Sequence, residues 1–176
     1  IKVYELERGD RIKNKEVIID CLGPEKKEKA QYMEAYDSYR DGTSEEKNDE
    51  SLVLKITYKP VGFEALFTGD ISSKVERDIL DSKLSVCDLD FLTVAHHGSK
   101  YSSSAEFIKF VNPKIATISV GKGNSYGHPH KETLERFNKY AKATRVFRTD
   151  ESGQITVVVG GNVKFKRFKE RYYNGR

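Results

Sequence analysis

The chain has no tryptophan, one methionine and two cysteines, Cys21 and Cys87. With no Cys-x-x-Cys pair, neither a disulfide framework nor a thiolate zinc cage is available, and the two thiols read as ordinary buried groups. No apolar run approaches the roughly 20 residues needed to cross a bilayer. No signal peptide is visible, and the chain opens on Ile1-Lys2-Val3-Tyr4-Glu5-Leu6 without an initiator methionine. That opening reads as a piece of a longer protein, with any targeting or membrane segment outside it. There is no Gly-x-Ser-x-Gly elbow, which argues against a serine nucleophile. The glycine-rich stretch 121–128 fits neither a dinucleotide fingerprint nor a P-loop. Histidine is scarce, with four in 176 residues.

The length fits one compact domain. Charged residues make up 33% and hydrophobic residues 37%, with a net charge of +4. The mean hydropathy of −0.65 is carried largely by residues 24–50, which are rich in Lys, Glu, Asp and Ser. This stretch reads as a solvated, partly mobile insertion with a helix around residues 30–39. The C-terminal stretch 161–176 interleaves Lys164, Lys166, Arg167, Lys169 and Arg171 with Phe165, Phe168, Tyr172 and Tyr173. Such a pattern can hold a nucleic-acid backbone; a solvated edge strand, protected by its lysines, explains it as well.

Between these segments the pattern is regular. Strands are expected at 1–6, 16–22, 51–58 and 63–68, the last two as a hairpin, then at 89–95, 114–120, 144–149 and 153–160. Ser73 and Glu76 form a capping-box pattern opening one helix, and Ser103 and Glu106 do so for another. Pro129 suits the first position of a third. The alternation from 62 to 149 argues for an α/β fold with a largely buried sheet. Each polar motif follows a strand, the place where α/β proteins build sites.

All four histidines fall in one window, as the pair His96-His97 and as His128-Pro129-His130. Imidazole is the commonest neutral metal ligand, and zinc and manganese sites recruit such clusters. A lone histidine would more often be structural; four at strand ends favour a site. In an extended His-x-His both rings share a face, but a helix starting at Pro129 would separate them, leaving one as ligand and one toward substrate or a neighbour. Thr68-Gly69-Asp70 follows a strand. It can be a plain turn, or Asp70 can bridge two metals that share a hydroxide. Gly98, Ser99, Lys100, Ser102 and Ser103 precede a helix and offer donors for phosphate oxygens, or simply cap that helix. The loop at 121–128 presents Tyr126 and His128.

These pieces occur in a fixed order: Leu66-Phe67-Thr68-Gly69-Asp70, His96-His97-Gly98-Ser99, Ile118-Ser119-Val120-Gly121, Tyr126-Gly127-His128-Pro129-His130 and Arg148-Thr149-Asp150. The series resembles the second half of the metallo-β-lactamase-like domain of the ComEC-type competence proteins, over roughly residues 48–157. The resemblance implies the C-terminal half of an αββα sandwich and two divalent metals, zinc or manganese. It implies hydrolysis of phosphodiesters, with single- or double-stranded DNA as candidate substrates. Asp70, His97 and His128 would then be catalytic. The metal ligands would come from Asp70, His97, His128 and His130, with His128 the preferred late histidine. His96, Ser99, Lys100, Ser102 and Tyr126 would contact substrate or orient its neighbours. The implied place is the outer face of a bacterial membrane, beside a membrane channel, or secretion.

One feature of that family is absent. Its His-x-His-x-Asp-His motif supplies most metal ligands, yet no histidine precedes His96. The chain is therefore expected to hold an incomplete di-metal centre, completed by a missing N-terminal half, and to expose an apolar sheet face open to that half or to a second copy. Two other functions compete: a non-catalytic nucleic-acid-binding module using the basic tail and serine loop, and a lapsed scaffold of the same fold.

Overall fold

The computed structural model describes residues 5–25, 44–82, 85–160 and 164–168. The strand expected at 1–6 lies outside them in its first four residues, as do most of the polar stretch, with its expected helix at 30–39, and both ends of the basic C-terminal segment. Seven strands form one sheet in sequence order: β1 (Arg11–Lys13), β2 (Val17–Gly23), β3 (Val53–Tyr58), β4 (Phe63–Phe67), β5 (Phe91–Thr93), β6 (Ile115–Ile118) and β7 (Arg145–Arg148). Strands β1 to β4 form an antiparallel meander, and β4 to β7 run parallel. A second, two-stranded sheet pairs β8 (Gln154–Val158) with β9 (Lys164–Phe168).

Parallel neighbours need crossovers. The sequence supplies α2 (Ser73–Asp81), α3 (Ala105–Val111) and α4 (Lys131–Tyr140) between successive parallel strands. Because the strand order never reverses and crossovers are right-handed, all three helices fall on one face of the sheet. One core cluster accordingly joins Val75, Ile79, Phe107, Ile108, Val111 and Phe137 from the helices to Leu66, Leu92, Ala116 and Ile118 from the strands. The other face carries Phe63, Ala65, Phe91, Ile115 and Phe147, with Ile155, Val157 and Val159 packed against them. The period of two thus divides each strand between two apolar environments, as expected for an α/β fold with a mixed sheet.

Several boundaries differ from the sequence reading. The expected strand at 89–95 shortens to Phe91–Thr93, and the chain turns at its end, where His96 and His97 take left-handed backbone conformations. The short β1, wholly exposed, carries no alternation by which to find it. Helix α2 is capped by Ser72, not Ser73, with Ser72 Oγ accepting from Lys74 N. Helix α3 is capped by Ser104, not Ser103, with Ser104 Oγ accepting from Phe107 N. Pro129 lies before α4 rather than at its first position, since His130 is the N-cap. A helix α1 (Ser44–Asp49) closes the polar stretch, and a one-turn helix α5 (Thr149–Ser152) follows β7.

Candidate functional site

The loops after β4, β5, β6 and β7 meet at the C-terminal edge of the parallel strands. Two close approaches hold them. A Cβ on Gly69, which has a φ of +57°, would lie 2.7 Å from Ser51 Cβ; one on Gly98, with a φ of +82°, would lie 2.6 Å from Pro129 Cβ. Glycine is required at both places for space and for backbone conformation. Hydrogen bonds run through the same contacts. Asp70 N donates to Ser51 Oγ at 3.1 Å, His96 N donates to Gly69 O at 3.1 Å, and His130 N donates to Gly98 O at 2.9 Å. His96 and His97 both sit in the left-handed region, with φ of 49° and 54°. Neither is glycine, so each adopts a strained conformation, a cost of about 1–3 kcal/mol that functional sites commonly carry.

The result gathers Asp70 and all four imidazoles. His97 Nε2 lies 3.7 Å from Asp70 Oδ2. Ring centroids of His96 and His128 are 5.6 Å apart, those of His97 and His128 are 6.3 Å apart, and those of His128 and His130 are 4.8 Å apart. The hydrogen bonds distinguish the rings. His97 Nδ1 is 2.7 Å from Ser119 O; a carbonyl only accepts, so Nδ1 carries a proton and Nε2 is the ring nitrogen that faces Asp70. His130 has the opposite arrangement. Its Nδ1 accepts from Lys100 N at 3.2 Å, which places its proton on Nε2 and makes that atom a donor. His96 Nε2 faces Asn48 Nδ2 at 3.4 Å. Burial, with the neighbouring His130, His96 and His97, pushes the His128 pKa down against the pull of Asp70. That direction favours the neutral ring, the form that binds metal.

Asp70 and His97 make a two-donor pair of the kind that could contribute to a metal centre. Asp70 and His97 present an oxygen and a nitrogen to a common space, with His128 beside them. Among the described residues no group of three such side chains is placed to hold an ion. The residues that could contribute are Asp70, His97 and His128, and the set needs further donors to close a coordination shell.

The serines expected to meet phosphate do other work. Ser102 is fully buried, and its hydroxyl donates to Ile71 O at 2.7 Å. Ser99 is also buried, with its hydroxyl accepting from Tyr101 N at 3.3 Å and its carbonyl taking the Thr133 hydroxyl at 3.0 Å. Neither lines the surface formed by the histidines. Lys100 and Tyr126 are exposed beside it.

Sequence reasoning missed the residues that fix these loops. Glu76, fully buried on α2, accepts from the backbone N–H groups of Ser103 and Ser104. Arg136 on α4 donates to the carbonyls of Lys100 and Ser102, both at 2.8 Å, and of Ser103 at 3.2 Å. Asn124 brackets its own loop. Its Nδ2 donates to Gly121 O at 3.0 Å and His128 O at 2.7 Å, and its Oδ1 accepts from His128 N at 3.0 Å. The Thr149 hydroxyl accepts from Val120 N at 2.7 Å and donates to Val120 O at 2.8 Å. Arg148 closes the next turn on Asp150 at 2.6 Å. Asn and Thr at strand ends are the one sequence signal that could have suggested these clamps.

The chain is similar to proteins named for competence. It is 34% identical over 155 residues to ComE operon protein 3 of Bacillus subtilis, covering 88% of this chain and 17% of that protein. It is 33% identical over 123 residues to Competence protein ComA of Neisseria gonorrhoeae, covering 69% of this chain and 17% of that protein. With Recombination protein 2 of Haemophilus influenzae it shares 40% identity over 92 residues, covering 52% of this chain and 11% of that protein. The chain therefore spans less than a fifth of the length of these curated relatives. No family model matches it.

Proposed function

We propose that this chain is the C-terminal part of a divalent-metal phosphodiesterase domain of the metallo-β-lactamase type, acting on DNA in competence. The observation that carries the reading is the approach of His97 Nε2 to Asp70 Oδ2 at 3.7 Å, with His97 Nδ1 held by a carbonyl. Such a carbonyl fixes a ligating imidazole in the tautomer that a metal needs. Zinc or manganese, when bound, would supply a hydroxide at neutral pH and charge against the phosphoryl oxygens. Asp70, His97 and His128 would hold the metal. His130, through Nε2–H, and Lys100, through its ammonium, would orient the phosphate. Asn48 would keep His96 in place.

The incomplete donor set fits a chain that covers 17% of its longer relatives. The remaining ligands would then come from elsewhere in the parent protein. The sheet face opposite the helices supports this, since its apolar surface extends past β8. Register places Val17, Ile19, Leu54 and Ile56 on that face; Phe67, 38% exposed, and Ile12, 52% exposed, continue it. The other half of the domain, or a second copy, would cover it. The same reading would place the parent on the extracytoplasmic face of a bacterial membrane, beside an attached channel, or in secretion.

The test is hydrolysis of bis-p-nitrophenyl phosphate by the full-length parent with manganese or zinc. Turnover should need the metal and disappear in Asp70→Ala. Unchanged turnover in that variant defeats the proposal. Salt-sensitive, metal-independent DNA binding that survives Asp70→Ala, without turnover, would instead support a binding module.

A further inference from the structure

Next to the histidines lies a cavity of about 450 Å³ lined by His97, Ser119, Asn124, Tyr126, His128 and Thr149. Tyr126 stands at its rim and is 78% exposed, the highest value among the large hydrophobic side chains described. A tyrosine so exposed has little to gain from folding alone. This one is also held in place. Its ring runs roughly parallel to that of His128, with centroids 5.9 Å apart and planes inclined by 24°. The loop carrying it is closed by two hydrogen bonds donated by the Asn124 amide and one that it accepts, and the far wall of the cavity is pinned by the Thr149 hydroxyl. The loop backbone stands clear of the rest of the chain: apart from their own chain neighbours, no heavy atom lies within 4 Å of where a Cβ would sit on Gly121, Gly123 or Gly127. The combination is an exposed aromatic ring on a braced loop, set roughly parallel to the His128 ring, with a cavity large enough for a nucleotide beside the candidate ligands.

We infer that Tyr126 stacks one unpaired nucleobase of the substrate strand, so that the site takes a single-stranded nucleotide. This rests on the phosphodiesterase reading and deepens it. A base within a duplex has both faces covered by its neighbours, and only an unpaired or terminal base offers a face to a protein ring. Stacking on an aromatic side chain needs no particular base, because every base has a π face. His97, His128 and Asp70 would then meet the phosphate attached to the stacked nucleoside. The Asn124 amide has its three bonding groups engaged by the backbone, and so supports the loop rather than reading the base.

The experiment measures fluorescence anisotropy of the full chain, with EDTA present, against two labelled hexamers of equal phosphate charge. One is oligo-dT; the other carries abasic tetrahydrofuran in place of each base. Wild type should bind oligo-dT about fivefold or more tighter than the abasic strand. Tyr126→Ala should remove the difference, and Tyr126→Phe, which keeps the ring, should retain it. Equal binding of both strands by wild type, no binding of either, or a base preference that survives Tyr126→Ala would each overturn the inference. Cleavage with manganese is assayed separately, on the full-length parent without EDTA. A base preference without cleavage defeats the hydrolase reading and leaves the stacking site; cleavage without a base preference does the reverse.

Discussion

Replacing Glu76 with glutamine should change stability in a pH-dependent way that the structure specifies. Burial pushes the Glu76 carboxyl up from 4.5 to about 7, against the Ser103 and Ser104 amides and the Arg136 guanidinium, which pull it down. An acid whose folded pKa is raised holds its proton more tightly folded than unfolded. Its contribution is therefore full below about pH 4.5 and is lost as the pH rises through about 7. Integrating between these values, wild type should lose about 2.5 kcal/mol between pH 5 and pH 8 from this group. Glutamine keeps the volume and does not titrate, but turns an NH2 toward one of the two backbone donors, at a cost of about 1–3 kcal/mol. Glu76→Gln should thus be the less stable protein at pH 5, and the gap should close or reverse by pH 8. Every other group is common to both proteins and cancels in the difference. Urea unfolding at pH 5, 6, 7 and 8, read by circular dichroism, gives that difference directly. A gap independent of pH, or one that widens as pH rises, would refute the reasoning and show that the amide donors outweigh burial.

Other outcomes follow from the same contacts. Gly98→Ala should destabilise the fold by about 2–4 kcal/mol, combining a left-handed alanine with a Cβ 2.6 Å from Pro129; thermal melting checks it. Asn124→Ala removes three hydrogen bonds to its own loop. It should speed amide hydrogen exchange over residues 121–128 while leaving β4 to β6 protected. Without its other half, the chain should self-associate through the apolar sheet face. Phe67→Lys should shift it toward monomer in sedimentation velocity, and an unchanged distribution would discard that surface.

How much of this was legible in the sequence depended on range. The order of strands and helices from 62 to 149 could be read because apolar spacing is local. The gathering of Asp70 and the histidines followed, since parallel strands bring their C-terminal ends to one edge. Choices among neighbours were not legible. Ser102, Ser103 and Ser104 present three hydroxyls in a row, and nothing local says that Ser102 bonds Ile71 O, that Ser103 turns left-handed, and that Ser104 caps α3. Glu76 occupies the last position of a capping-box pattern, yet its carboxylate reaches a loop 27 and 28 residues away. Asn48 meets His96 across 48 residues. Pairings at that separation leave no periodic trace. The tautomers of His97 and His130 depend on which backbone group each ring meets, so the sequence left both as ligand candidates.

The account stands most directly on metal binding by the imidazoles and carboxylate at the strand ends. Titrating manganese or zinc into the full-length parent by calorimetry should show binding that weakens tenfold or more in Asp70→Ala and in His128→Ala. His130→Ala should stay within about threefold of wild type, because His130 Nδ1 accepts from Lys100 N and its proton sits on Nε2, the nitrogen a metal would need. Equal metal affinity in wild type and Asp70→Ala would contradict the central claim.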